Sequence, residues 1–167
     1  SEDKIRTEIS WKDLRGQVTI LAHFLRQQGV KKGDRVAAYM PNMPETVIMM
    51  LAASSIGAIF SSASPDFGVD GVLDRFGQIE PKILLTTDGY WYNGKEVNIT
   101  NKVSDVVKSL PSLKKVVIAP LLGNKIEFND DKFINYKAVQ EKYFSQDMLF
   151  EPLCLDAGLE DPVTVFK

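Results

Sequence analysis

The sequence is short of the residues that carry most visible enzyme chemistry. It has one cysteine, Cys154, and one histidine, His23, in 167 residues. A lone cysteine excludes an intrachain disulfide and a cysteine-based metal cluster, and it fits a reducing compartment. Between Leu153 and Leu155 it reads as a small buried apolar residue. A Ser-His-Asp triad or a histidine metal site would have to use His23. That residue falls mid-helix, away from any strand end, and reads as part of a helix face. Neither G-x-G-x-x-G nor G-x-x-x-x-G-K-[ST] occurs, so the glycine loops that cradle phosphates are missing. No apolar run approaches the roughly 18 residues that span a bilayer. A formal charge of −2 gives no general pull toward nucleic acid or an anionic membrane. The pairs Lys31-Lys32 and Lys114-Lys115 read as solvated charges beside strands. The start, Ser1-Glu2-Asp3-Lys4, has no initiator Met and no apolar signal core. The end, Val163-Thr164-Val165-Phe166-Lys167, reads as a strand that stops. Both ends are expected to be cuts through a longer chain.

What remains is an ordinary folding composition, 44% apolar and 25% charged, long enough for one domain with a real core. Ser10 is a good N-cap, with Asp13 three residues on. Leu14, Val18, Leu21 and Leu25 then share a helical face, and Gly29 is placed to end the helix. Val36 to Met40 reads as a buried strand. Pro44 suits the first position of a helix, and Val47 to Ile56 continue it as a mostly apolar helix stopped by Gly57. Ala58 to Ser62 is the next strand, broken by Ser64-Pro65-Asp66. Val69 to Ile79 is a helix with Val72, Leu73, Phe76 and Ile79 inward, ended by Pro81. Ile83 to Thr86 is a strand, followed by a loop from Asp88 to Lys95. Asn98 to Leu110 is a helix, Val116 to Ala119 a strand, and Tyr136 to Tyr143 a short helix within a less regular segment, 120–160. The expected fold is α/β: a doubly wound, mostly parallel sheet flanked by helices, forming a single incomplete subdomain over 1–167. Ligands in such sheets sit beyond the C-terminal strand ends.

Two clusters lie at those ends. Asp66, Asp70 and Asp74 recur every four residues. They read as helix capping and dipole complementation for the first two and an ion pair for Asp74, because nothing nearby completes a metal ligand set. The segment Tyr90-Trp91-Tyr92-Asn93-Gly94-Lys95 gathers three aromatics, a glycine and a cation. An adenine could stack there and a phosphate meet Lys95, or the aromatics could pack on a neighbouring domain. The residues alone leave both open.

The motifs also carry a resemblance. Ser10-Trp11-Lys12-Asp13-Leu14, Gly29-Val30-Lys31-Lys32-Gly33-Asp34-Arg35-Val36-Ala37, Tyr39-Met40-Pro41-Asn42 with Glu45, and Ala52-Ala53-Ser54-Ser55-Ile56-Gly57-Ala58 resemble the N-terminal region of adenylate-forming acyl-CoA synthetases. The stretch Ser64 to Lys82, with Pro65-Asp66-Phe67-Gly68-Val69 and Val72-Leu73-Asp74-Arg75-Phe76, is similar to the acetoacetyl-CoA synthetases, as is Tyr92-Asn93-Gly94-Lys95-Glu96. The resemblance runs from about residue 8 to 120 and returns at Asp161-Pro162.

The resemblance implies a ligase that activates acetoacetate with Mg2+ and ATP to an acyl-adenylate and passes it to CoA, in the cytosol. It implies that the triphosphate loop, the acyl pocket and the adenylating lysine belong to the remaining synthetase domains, after a strand like Val163 to Phe166. These residues alone are then expected to be inactive, with no catalytic residue, no metal ligand and no tightly bound cofactor. One site carries over: Tyr92, Asn93, Gly94 and Lys95 align with a loop that meets the nucleotide end of CoA in related acetyl-CoA synthetases, and Pro65 and Asp66 with the turn beside the pantetheine tunnel. That loop is basic at both ends in the relatives, whereas this chain has Tyr92 at the first position. No nucleic acid or membrane partner is expected. Two other classes compete: a truncated noncatalytic binding module, and a free-standing flavodoxin-like nucleotide binder, which would lack any phosphate loop.

Overall fold

The computed structural model describes residues 6–124 and 131–144. Its first helix, α1 (Trp11–Gln27), begins where Ser10 accepts a hydrogen bond from the Asp13 amide, and the chain leaves it through Gly29 at φ +74°. Strand β1 (Arg35–Tyr39) follows, then α2 (Pro44–Ser55), with proline in the first turn. The chain continues through β2 (Ile59–Ala63), α3 (Val69–Ile79) and β3 (Ile83–Thr86). Next come β4 (Gly89–Tyr92), β5 (Lys95–Asn98), α4 (Thr100–Ser109) and β6 (Lys115–Ile118). The last described elements are β7 (Phe133–Asn135) and α5 (Tyr136–Tyr143).

Five strands form one sheet in the order β2-β1-β3-β6-β7, and every neighbouring pair is parallel. The strands are short and apolar because both faces are covered. On one face α1, α2 and α5 enclose Leu21, Phe24, Leu25, Met49, Val36 and Leu85. On the other, α3 and α4 enclose Tyr39, Val72, Phe76, Leu84, Val106 and Val116. Helices on both faces with a reversal of strand order between β1 and β3 make this the expected doubly wound arrangement. His23 is half-buried on α1, its ring 5.8 Å from that of Tyr143 on α5, as a helix-face residue should be.

Three expectations need correction. The segment Asp88 to Lys95 is not a loop: β4 and β5 pair antiparallel, with Tyr92 opposite Lys95 and Gly89 opposite Asn98. Asn93 and Gly94 turn the hairpin at φ +49° and +73°, the left-handed pair that a two-residue hairpin requires. That pairing delays α4 to Thr100, because Asn98 is spent in β5 and its side chain accepts from the Thr100 amide and hydroxyl. Finally β7, inside the segment read as less regular, extends the sheet beside β6. The readings made for Cys154, Asp161-Pro162 and the strand Val163 to Phe166 lie outside the described residues.

Candidate functional site

The C-terminal strand ends carry two different surfaces. One is a cavity of about 670 Å³ beside the residues that follow β1 and β6, lined by Glu8, Asp13, Gln17, Asn42, Glu45 and Pro120 among others. Three carboxylates and no lysine or arginine line it, so it would repel a phosphate. The Glu45 Oε2 atom is buried without a hydrogen-bond partner among the described residues, as is the Tyr136 hydroxyl. Burial, with the Glu45 carboxylate nearby, pushes the Tyr136 phenol above its ordinary range.

The other surface joins the two segments singled out in the sequence. The Tyr90 hydroxyl, at the base of the hairpin, donates to Asp66 Oδ1 at 2.7 Å, and the Ser64 hydroxyl donates to Asp66 Oδ2 at 2.8 Å. Tyr39, buried at the end of β1, donates its hydroxyl to the Phe67 carbonyl at 2.6 Å. The turn after β2 is therefore held to the β1 end by one tyrosine and to the hairpin by another. Asp66 does not cap α3, whose N-cap is Gly68 with no side-chain bond; it serves as an acceptor for the hairpin instead. Asp70 does lie in the first turn of α3. Asp74 makes no ion pair among the described residues, contrary to expectation, and Arg75 instead sets its guanidinium 4.2 Å from the Phe67 ring centre.

The electrostatics follow from those contacts. Hydrogen bonds from Tyr90 and Ser64, helped by the Lys102 charge, hold the Asp66 carboxyl below its ordinary value. Burial, the Asp66 hydrogen bond and the Asp66 charge push the Tyr90 phenol up to about 12. At neutral pH the pair is a neutral donor on a charged acceptor. Beyond it the hairpin tip stands in solvent: Tyr92 is 56% exposed, and Asn93, Gly94 and Lys95 are exposed as well. Pro65 is buried beneath the exposed Asp66. The structure thus links Pro65-Asp66 to the base of the hairpin whose tip is Tyr92 to Lys95.

One anchoring residue has no counterpart among the sequence candidates. Asp88 is a fully buried carboxylate between β3 and the hairpin. Its Oδ1 accepts the Leu121 amide at 2.6 Å and the Leu122 amide at 3.0 Å, and its Oδ2 accepts the Asn124 amide at 2.7 Å. It holds the segment after β6 against the hairpin base. Gly89 makes this approach possible, because a Cβ there would lie 2.5 Å from the Leu122 Cδ1 and 2.6 Å from the Val97 carbonyl oxygen. Among the described residues no group of three His, Cys, Asp or Glu side chains could hold a metal ion, so no step through Mg2+ is assigned to them. No helix among them is long and apolar enough to cross a membrane.

Comparison with known proteins places this arrangement. The family model for the AMP-binding enzyme matches residues 3–154. The chain belongs to the AMP-binding enzyme family. Within that family, an acetoacetyl-coenzyme A synthetase from Rhizobium meliloti (strain 1021) is 55% identical over 123 residues, which is 74% of this chain and 19% of the relative. Acetoacetyl-CoA synthetase of Mus musculus is 53% identical over 128 residues, 77% of this chain and 19% of its own length. The solved structure of acetoacetyl-CoA synthetase from Streptomyces lividans superposes with a TM-score of 0.76 at 41% identity, covering 80% of this chain and 20% of that one. The chain spans about a fifth of the length of these relatives.

Proposed function

We propose that these residues are the N-terminal part of a cytosolic acetoacetate–CoA ligase, in which the carboxylate of acetoacetate is adenylated by ATP and the acyl group is then passed to the CoA thiol. The single observation that carries this reading is the 55% identity to a named acetoacetyl-CoA synthetase, sustained over most of the chain. The role of this portion is binding. Lys95 supplies a compact positive charge for a phosphate of CoA, and the exposed Tyr92 ring offers a face for its adenine. Asp66, fixed by Tyr90, and Pro65 hold the turn that borders the path of the pantetheine arm. The acidic cavity near Glu45 is left out, since its charge opposes any phosphate.

The portion alone is inactive in this reading. Nucleotidyl transfer from ATP needs an array of donors and cations around the transferring phosphorus, and no phosphate-cradling glycine loop lies in these 167 residues. The test is an assay of AMP and diphosphate release with acetoacetate, ATP and CoA. A longer protein that carries these residues should form AMP and acetoacetyl-CoA together, and the 167-residue chain neither. Turnover by the short chain overturns the binding role; a longer protein that ignores acetoacetate overturns the substrate.

A further inference from the structure

The hairpin tip carries one ring and one positive charge on the same side. Tyr90 pairs with Val97 and Tyr92 with Lys95, while Trp91 pairs with Glu96 between them. Side chains alternate across a strand, so Tyr92 and Lys95 share the face of Tyr90 and Val97, and Trp91 and Glu96 take the other. Tyr90 and Val97 pack into the core, and the same face continues outward into solvent at Tyr92 and Lys95. Residues directly opposite in an antiparallel pair stand about 5 Å apart at Cβ. The exposed Tyr92 ring therefore has the Lys95 ammonium beside it. Lys95 makes no ion pair among the described residues.

The charge around that face does not suit a ligand with many phosphates. Asp66 hangs from the Tyr90 hydroxyl at 2.7 Å and places a carboxylate on the side where Lys95 stands. Lys102 is the cation that Asp66 feels, and the two offset each other. Arg75 is turned to the Gly71 carbonyl and the Phe67 ring. CoA brings a diphosphate and a separate phosphate on its ribose, and a single cation cannot serve both. An exposed ion pair is worth up to about fivefold in affinity. A base stacked on an aromatic ring is worth roughly fivefold to a hundredfold. The ring outweighs the charge. We propose that Tyr92 sets the thiol-substrate specificity of this surface: it reads the adenine of CoA and is nearly blind to the ribose phosphate, so a CoA without that phosphate serves almost as well. The inference rests on the reading of the hairpin tip as the surface that meets the nucleotide end of CoA.

The test uses a longer protein that carries these residues, with CoA and dephospho-CoA, which lacks the ribose phosphate, each varied in turn. The two KM values should agree within about fivefold, and a wider gap in favour of CoA overturns the proposal. Tyr92→Ala should raise both together by about tenfold, Tyr92→Phe should keep both near the parent values, and KM for acetoacetate should not move. Unchanged KM values in Tyr92→Ala place the adenine elsewhere and overturn the proposal. Tyr92→Arg adds a second cation and should open the gap that the parent lacks; equal values there count against the proposal. Calorimetric titration of the two thiols reads the same ratio of affinities without turnover. A protein that binds both alike yet ignores acetoacetate would therefore refute the ligase and leave this inference standing, and a ligase that requires the ribose phosphate the reverse.

Discussion

The hydrogen bond between Tyr90 and Asp66 ties the turn after β2 to the hairpin, and it can be weighed by deleting either partner. The perturbation is a double-mutant cycle of Tyr90→Phe and Asp66→Asn. A hydrogen bond to a charged group contributes roughly 1.5–3 kcal/mol. Here the donor is buried but the acceptor is exposed, so screening reduces the expected coupling to about 1 kcal/mol. The pH dependence fixes the sign. The Asp66 carboxyl is held below its ordinary value of 3.8 by Tyr90 and Ser64. A depressed carboxylate stabilises the fold above 3.8, and that contribution is lost as pH falls through the lowered value. The Tyr90 phenol is raised from 10.0 to about 12, so its contribution is whole below 10 and is lost as pH rises toward 12. The assay is urea unfolding of the four proteins at pH 7 and at steps below 4. The coupling should be near 1 kcal/mol at neutral pH and shrink on acidification. A coupling under about 0.3 kcal/mol at pH 7, or one unchanged down to pH 2, would refute the reasoning.

Other perturbations follow from the same contacts. In the ligase proposed above, Lys95→Ala should raise KM for CoA about 5- to 10-fold, the equivalent of roughly 1 kcal/mol, and leave KM for acetoacetate unchanged; steady-state kinetics with each substrate varied checks this, and an equal rise for both would place Lys95 away from CoA. Asp88→Ala strands the amides of Leu121, Leu122 and Asn124 and should cost about 3 kcal/mol or more, read from the denaturation midpoint, with Asp88→Asn less severe because one oxygen remains. Gly89→Ala drives a methyl against the Val97 carbonyl and should cost about 1–3 kcal/mol, whereas Gly68→Ala, which meets nothing within 4 Å, should cost less.

The parts legible in the sequence are those in which a local pattern and its structural cause coincide. Ser10 with Asp13, Pro44, and the apolar face of α3 each name their own element, because caps and helical periodicity act within a few residues. Ile83 to Thr86 reads correctly as a strand because its four residues are buried on both faces and so are uniformly apolar or uncharged. The hairpin hid for a physical reason. Asn93-Gly94 is a strong turn pair, but Lys95-Glu96-Val97-Asn98 has weak strand character, and it pairs only because β4 already stands beside it. β7 is three residues long, too short for any period to show, and exists by docking on β6.

The candidate site divides along the same line. Its tip, Tyr92 to Lys95, was visible because aromatics, glycine and a cation at a strand end are informative by type. What orients it was not visible, since those bonds cross long stretches of chain. Tyr90 reaches Asp66 across 24 residues, and Asp88 gathers amides 33, 34 and 36 residues away. A fully buried aspartate looks the same in sequence as a solvated loop aspartate. Only the sheet order, which brings the ends of β3 and β6 side by side, turns Asp88 into an anchor. The same order explains why the two singled-out segments act together. β2 and β3 flank β1, so the turn leaving β2 and the hairpin leaving β3 emerge on either side of the β1 end, and Tyr39 and Tyr90 close the gap between them. The residues that would touch a ligand are thus chosen by local chemistry, and their alignment is set by strand order. Loss of Lys95 should therefore weaken one contact, while loss of Tyr90 should loosen the whole surface.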